Sequence, residues 1–182
     1  MAKITLATIW LDSCSGCHMS FLDIDEFLID LAGQVEILFS PLVDTKSFPD
    51  HVDVSLVEGA VGSESDREKV LTIRDRSGIL VSFGDCAVTA NVPGMRNRYP
   101  VADVLARAYA ENACPAAAIS RDTLFFQEVP ALCPQARPVH EFVPVDIFLT
   151  GCPPPPEAIL YLFSELLAGR RPNMNGRTRF GA

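Results

Sequence analysis

The sequence predicts an α/β domain built on a parallel sheet, doubly wound, with helices on both faces. Strand-like and helix-like stretches alternate along the chain, the order that places helices between parallel strands. Four of the strand-like stretches run directly into loops that carry glycine or cysteine. The length of 182 residues, with 48% hydrophobic and 21% charged, suits one ordinary globular core.

The elements follow in order. Residues 4–11 are rich in β-formers and read as strand one. Residues 18–32 carry Phe21, Ile24, Phe27, Leu28 and Leu31 at helical spacing, with Asp23, Glu26 and Asp30 opposite, and Gly33 is the expected stop. Residues 35–39 and 52–57 read as strands two and three. Residues 64–76 form a charged helix with Ser63 or Ser65 as its cap. Residues 79–83 are strand four, 101–110 a helix, 145–149 the last strand, and 156–168 the last helix, with proline suited to its first turn. The proline-rich stretch 111–144 gives no clear pattern. Right-handed crossovers then yield a flavodoxin-like layout whose strand order the sequence does not specify. With no repeat or linker, residues 1–182 read as a single domain with a basic tail at 170–182.

The formal charge of −8 argues against nucleic acid as a partner. Residues 1–60 hold ten acids and two bases, whereas the tail carries Arg170, Arg171, Arg177 and Arg179 and no acid. That tail suits either docking on a partner or a solvated terminus. No apolar run approaches the ~20 residues of a membrane span, and the N-terminal stretch lacks the features of a secretion signal. A cytoplasmic location follows as the expectation. There the six cysteines stay reduced, which favours metal or redox chemistry over a disulfide framework.

Strand one runs into Cys14-Ser-Gly-Cys17, strand three into Glu58-Gly59, strand four into Gly84-Asp85-Cys86, and the last strand into Gly151-Cys152-Pro153-Pro154. In a parallel sheet these carboxyl ends share the edge where open α/β folds place ligands. Cys14, Cys17, Cys86 and Cys152 can therefore converge on one metal centre. Gly16 lets the backbone approach, and the helix after Cys17 is expected to aim its N–H groups at the anionic site. The prolines at 153–156 stiffen the loop and shield the centre. Dispersed single ligands favour an iron–sulfur cluster. A thioredoxin-like pair at Cys14 and Cys17, or a structural zinc in a binding module with no redox role, remain the alternatives. Cys114 and Cys133 read as ordinary thiols and Trp10 as core. Glu58 suits a proton relay or a hydrogen bond to a ligand's backbone, with a solvated acid as the default. His18 suits a contact to sulfur or partner, or a plain polar helix start. The long loop 88–99, with Asn91, Arg96 and Asn97, is expected on the partner face.

Taken in order, Cys14-Ser-Gly-Cys17, Val57-Glu58-Gly59, Gly84-Asp85-Cys86-Ala87 and Gly151-Cys152-Pro153-Pro154 resemble the motifs of [NiFe]-hydrogenase small subunits. The same superfamily includes the 20 kDa cluster-bearing subunit of respiratory complex I. The stretches 17–26 and 83–97 look like the small subunit of the bidirectional, NAD-linked soluble hydrogenases, and the likeness runs through nearly the whole chain. The resemblance implies one proximal [4Fe–4S] cluster held by Cys14, Cys17, Cys86 and Cys152. It implies a large subunit that holds the nickel–iron site, so that no catalytic residue lies in this chain. It also implies diaphorase subunits with further clusters and FMN, which reduce NAD⁺. The chain shows neither a twin-arginine leader nor a second cluster domain, which implies the short cytosolic type. Complex I counterparts have adjacent cysteines at the first motif, so the spacing here favours the hydrogenase branch. A complex I-like subunit or a hydrogenase with another acceptor is the runner-up. FMN within this chain is not expected, because cysteines occupy the loop after strand one.

Overall fold

The computed structural model describes residues 3–111 and 130–181. Cys114 lies outside them. Five parallel strands form the main sheet in the order β2-β1-β3-β5-β7: β1 (Ile4–Trp10), β2 (Val35–Phe39), β3 (Val52–Glu58), β5 (Ser77–Phe83) and β7 (Ile147–Leu149). The expected class holds.

Alternation along the strands divides the core in two. Leu6, Leu56, Val81, Phe83 and Leu149 face α1 (Gly16–Leu22) and α6 (Pro156–Leu167), packing on Phe21, Ile159, Leu162 and Phe163. Ala7, Ile9, Val57 and Leu80 face the other way, onto Val70 and Ile73 of α3 (Glu64–Arg76). The chain thus winds one way to β2 and the other way to β3 and β5. The reversal between β1 and β3 opens a crevice at their carboxyl ends.

α3 starts where its cap requires. The Asp66 N–H donates to Ser63 Oγ (3.1 Å), and the Ser63 N–H donates back to Asp66 Oδ2 (3.0 Å), a reciprocal capping box. Ser63→Ala is expected to cost about 1 kcal/mol. In a thermal melt that is a drop of roughly 2–4 °C for a chain of this size.

Several elements differ from expectation. The helix expected over 18–32 is two helices, α1 and α2 (Phe27–Gln34), and the second runs through Gly33 into β2. The break falls on residues 23–26, where Asp25 takes a positive φ of 53°. Three acids in four residues crowd like charge there, and aspartate favours turns over helix interiors. The last strand is shorter than expected because the Asp146 carboxylate, not further backbone, accepts the Leu80 N–H (2.8 Å). The helix expected over 101–110 is a short α-turn, α5 (Val101–Leu105), continued as a π-helix over Ala106–Glu111.

Two short strands escaped the sequence pattern. β4 (Val61–Ser63) pairs antiparallel with β6 (Leu132–Arg137), so part of the proline-rich stretch is strand. Nor is the stretch 88–99 an open loop. It holds the end of α4 (Asp85–Thr89) and a 3₁₀ helix over Pro93–Arg98. The Arg96 and Asn97 side chains turn inward. Arg96 donates to the Gly62 and Cys133 carbonyls, and Asn97 bonds both backbone groups of Ala136 in β6.

Candidate metal centre

Three of the loops after main-sheet strands bring the predicted cysteines together. Cys14 and Cys17 follow β1, Cys86 lies in the first turn of α4 after β5, and Cys152 follows β7. Cys17 and Cys86 are buried, and Cys14 and Cys152 are exposed. The four thiols lie close enough to act on one another. Burial lifts the Cys17 thiol far above its ordinary range, and Glu58, Cys86, Cys14 and Cys152 add to the rise. Burial likewise pushes Cys86 up to about 11, with Cys152 and Cys14 adding to it against a lowering backbone hydrogen bond near Val92. Burial of this kind keeps Cys17 and Cys86 as neutral thiols, and a bound cation would have to displace their protons.

Among the described residues no group of three His, Cys, Asp or Glu side chains is arranged to hold a single metal ion. Thiols at one zinc would all stand within about 2.3 Å of it. The donor set, four thiols with no carboxylate or imidazole, suits an iron–sulfur centre and equally a four-cysteine zinc site. Cys133 is elsewhere: it is buried in β6 and its thiol donates to Glu64 Oε1 (3.8 Å).

Gly84 makes room for one ligand. It holds φ 83° and ψ 164°, a conformation open to little but glycine. A Cβ built on it would lie 2.1 Å from Cys17 Sγ. Gly84→Ala is therefore expected to displace Cys17 and to cost about 1–3 kcal/mol in backbone strain alone. Iron content per purified chain, set beside that of the unaltered protein, measures the loss.

Hydrogen bonds fix the loops relative to each other. Asp85, buried, accepts the Gly151 N–H at Oδ1 (2.7 Å) and the Gly181 N–H at Oδ2 (2.7 Å). Its own N–H donates to the Gly151 carbonyl (2.9 Å). One side chain thus ties the Cys86 loop, the Cys152 loop and the basic tail. The tail lies along the protein: Thr178 bonds Thr150 (2.8 Å), and the Arg177 guanidinium stacks 3.6 Å from the Tyr161 ring centre. Asn91 Nδ2 donates to Cys152 Sγ (3.5 Å), and Ser20 Oγ donates to the Pro154 carbonyl (2.5 Å).

Beneath the cysteines sits a charged group that the sequence pattern places in solvent. Glu58 closes the central strand β3 and is 1% exposed. Its Oε1 accepts from Ser13 Oγ (2.9 Å) and the Cys17 N–H (3.4 Å), and its Oε2 accepts from the His18 N–H (3.0 Å) and meets His18 Nδ1. The far ring nitrogen of His18 reaches Thr8 Oγ1 (3.0 Å), which donates to Ser40 Oγ (2.7 Å). Burial raises the Glu58 carboxyl, but the hydrogen bond and charge of His18, with Ser13, prevail and hold it below the usual range. The first N–H groups of α1 are thus directed to Glu58 rather than at the cysteines, contrary to expectation. His18 is a buried partner of that carboxylate. Trp10, expected in the core, is 48% exposed at the end of β1.

Known proteins resemble this chain in sequence and in fold. The family described as NADH ubiquinone oxidoreductase, 20 Kd subunit, matches residues 14–166. The delta subunit of the NAD-reducing hydrogenase HoxS of Cupriavidus necator is 40% identical over 92% of this chain and 80% of its own length. A subunit of the F420-non-reducing hydrogenase vhu of Methanocaldococcus jannaschii is 34% identical over 94% of this chain but only 60% of its own length. Among solved structures, a chain of an NAD⁺-reducing [NiFe]-hydrogenase in the H₂-reduced state superposes with a TM-score of 0.91 at 36% identity, covering 98% of this chain and 99% of that one. A [NiFeSe]-hydrogenase chain of Dm. baculatum, at 16% identity and a TM-score of 0.59, shares the fold.

Proposed function

The chain belongs to the family of the NADH ubiquinone oxidoreductase 20 Kd subunit, and from that premise we propose that it is the electron-transfer small subunit of a cytoplasmic, NAD-reducing [NiFe] hydrogenase. In this reading Cys14, Cys17, Cys86 and Cys152 hold one [4Fe–4S] cluster. The observation that carries it is the nearness of four thiols from three strand-end loops, close enough to act on one another. Hydrogen is split in a large subunit, and NAD⁺ is reduced by diaphorase subunits with further clusters and FMN. The similarity of the whole chain to one in an NAD⁺-reducing [NiFe]-hydrogenase supports that acceptor.

When bound, the cluster takes up and releases single electrons. The work of this chain's own residues is to hold and orient. Glu58 fixes the backbone of Cys17 and His18 from below, so the first cysteine loop is set by one buried carboxylate. Asp85 locks the Cys86 loop to the Cys152 loop. Asn91 directs an N–H toward Cys152 Sγ, and such bonds to ligand sulfur adjust reduction potential. The exposed Cys14 and Cys152 lie on the face open to the large subunit, and Val92 and Met95, 60% and 68% exposed, offer apolar contacts nearby in sequence to Cys86.

No helix among the described residues is long and apolar enough to cross a membrane. Purified anaerobically with its co-purifying chains, the protein is expected to bring down a nickel-bearing large subunit. The assembly is expected to reduce NAD⁺ under hydrogen. A large partner without nickel would place the chain on the complex I-like branch instead.

A further inference from the structure

A second surface lies on the flank of the sheet. α2 sits on the core through Leu28 and Leu31, yet none of its eight residues is buried. Phe27 is 52% exposed and Ile29 76%. Because α2 runs directly into the start of β2, it lies toward the amino ends of the strands, away from the cysteines. Between α2 and α6 run two adjoining hollows of about 460 and 780 Å³, floored by Phe27, Leu31, Leu160 and Leu167. An amphipathic helix with exposed apolar side chains beside such a groove marks a contact surface.

Charge shows what suits it. Asp23, Asp25, Glu26, Asp30 and Glu157 lie on or beside the groove. None of them has a salt bridge among the described residues. Residues 4–45 contain no lysine or arginine, and Lys3 is held at the far end of α2, where its Nζ donates to the Ala32 carbonyl (2.6 Å). Two arginines of the tail are otherwise engaged, Arg170 with Glu165 and Arg177 over Tyr161. A second copy of this face, or an anionic membrane, would meet like charge.

We propose that the α2–α6 groove docks a protein partner whose contact surface presents apolar side chains ringed by lysine or arginine. This surface begins at the first turn of α6, four residues after Cys152, and runs along α2 and α6 away from the cysteine edge; its existence does not depend on what the cysteines bind. Complementary charge would speed and orient the encounter, and the apolar floor would hold the contact.

The test uses the full chain in the assembly it co-purifies with. Ile29 is replaced by a photo-cross-linking residue, and the cross-linked peptide is sequenced. The expected product is a peptide of another subunit with clustered Lys or Arg. A triple variant, Asp23→Lys, Glu26→Lys and Asp30→Lys, is expected to retain that subunit about ten-fold less well, the equivalent of roughly 1.4 kcal/mol. Its iron content stays unchanged, and Glu68→Lys on α3 serves as the control. Raising salt is expected to release the same subunit from the unaltered chain. No cross-link, a cross-link to a second copy or to a peptide without bases, or equal retention by the triple variant with iron in place, overturns the proposal. Should the triple variant lose iron, the cross-link alone decides. Iron content reports on the cysteine site and the cross-link on this face, so the two readings fail separately.

Discussion

Cys86→Ser is expected to abolish cluster binding while leaving the fold in place. Cys86 is buried, but it belongs to neither half of the core around the sheet. A serine fills nearly the same space, and α4 keeps its backbone bonds. What is lost is the soft thiolate that iron prefers. Iron per chain should fall to background, with hydrogen-dependent NAD⁺ reduction falling alongside. The far-ultraviolet circular dichroism of the apo-protein should match that of the unaltered apo-protein. Cys17→Ser is a poorer test, because Cys17 also packs in the core with Phe21 and Phe83. Normal iron in Cys86→Ser would remove Cys86 from the ligand set.

Glu58→Ala is expected to have the second largest effect, and on stability first. The substitution takes the acceptor from two backbone N–H groups, from Ser13 and from His18, all at the foot of the first cysteine loop. His18, 3% exposed, is left without its carboxylate. Breaking a buried pair by removing one partner costs about 3–5 kcal/mol, readable as a lower denaturant midpoint. Glu58→Gln keeps acceptor oxygen for part of the network and should fall between. If Glu58→Ala unfolds like the unaltered chain, the carboxylate is not the anchor described here.

What the sequence disclosed, and what it withheld, divides along physical lines. Parallel topology puts every strand's carboxyl end on one edge, so cysteines after β1, β5 and β7 share that edge, while the strand order that decides their spacing was not legible. The α3 cap was partly legible: Ser63 and Ser65 both suited it, and the structure selects Ser63, whose partner Asp66 lies three residues on. The default reading of Glu58 as a solvated acid failed because its burial depends on partners 40 to 45 residues away in the chain, while the hydrogen bond to a cysteine's backbone is present at Cys17. A signal was present: an acid directly after Leu56 and Val57 at the end of β3, and directly before a glycine held at φ 98°. Asp85 and Asn91 escaped as supports of the site for a similar reason, since their partners lie 61 to 96 residues on. β6 was hidden by its own Pro134, which weakens any strand signal. The break between α1 and α2 is a local contest. Helical spacing of apolar residues continued through it, and the turn preference of Asp25 won.

The most direct test of the central claim is the iron, acid-labile sulfide and zinc content of the anaerobically purified protein, with low-temperature EPR after reduction. About four iron and four sulfide per chain, with the signal of a single reduced cluster, is the predicted result. Zinc without sulfide would contradict it and make the four cysteines a structural site.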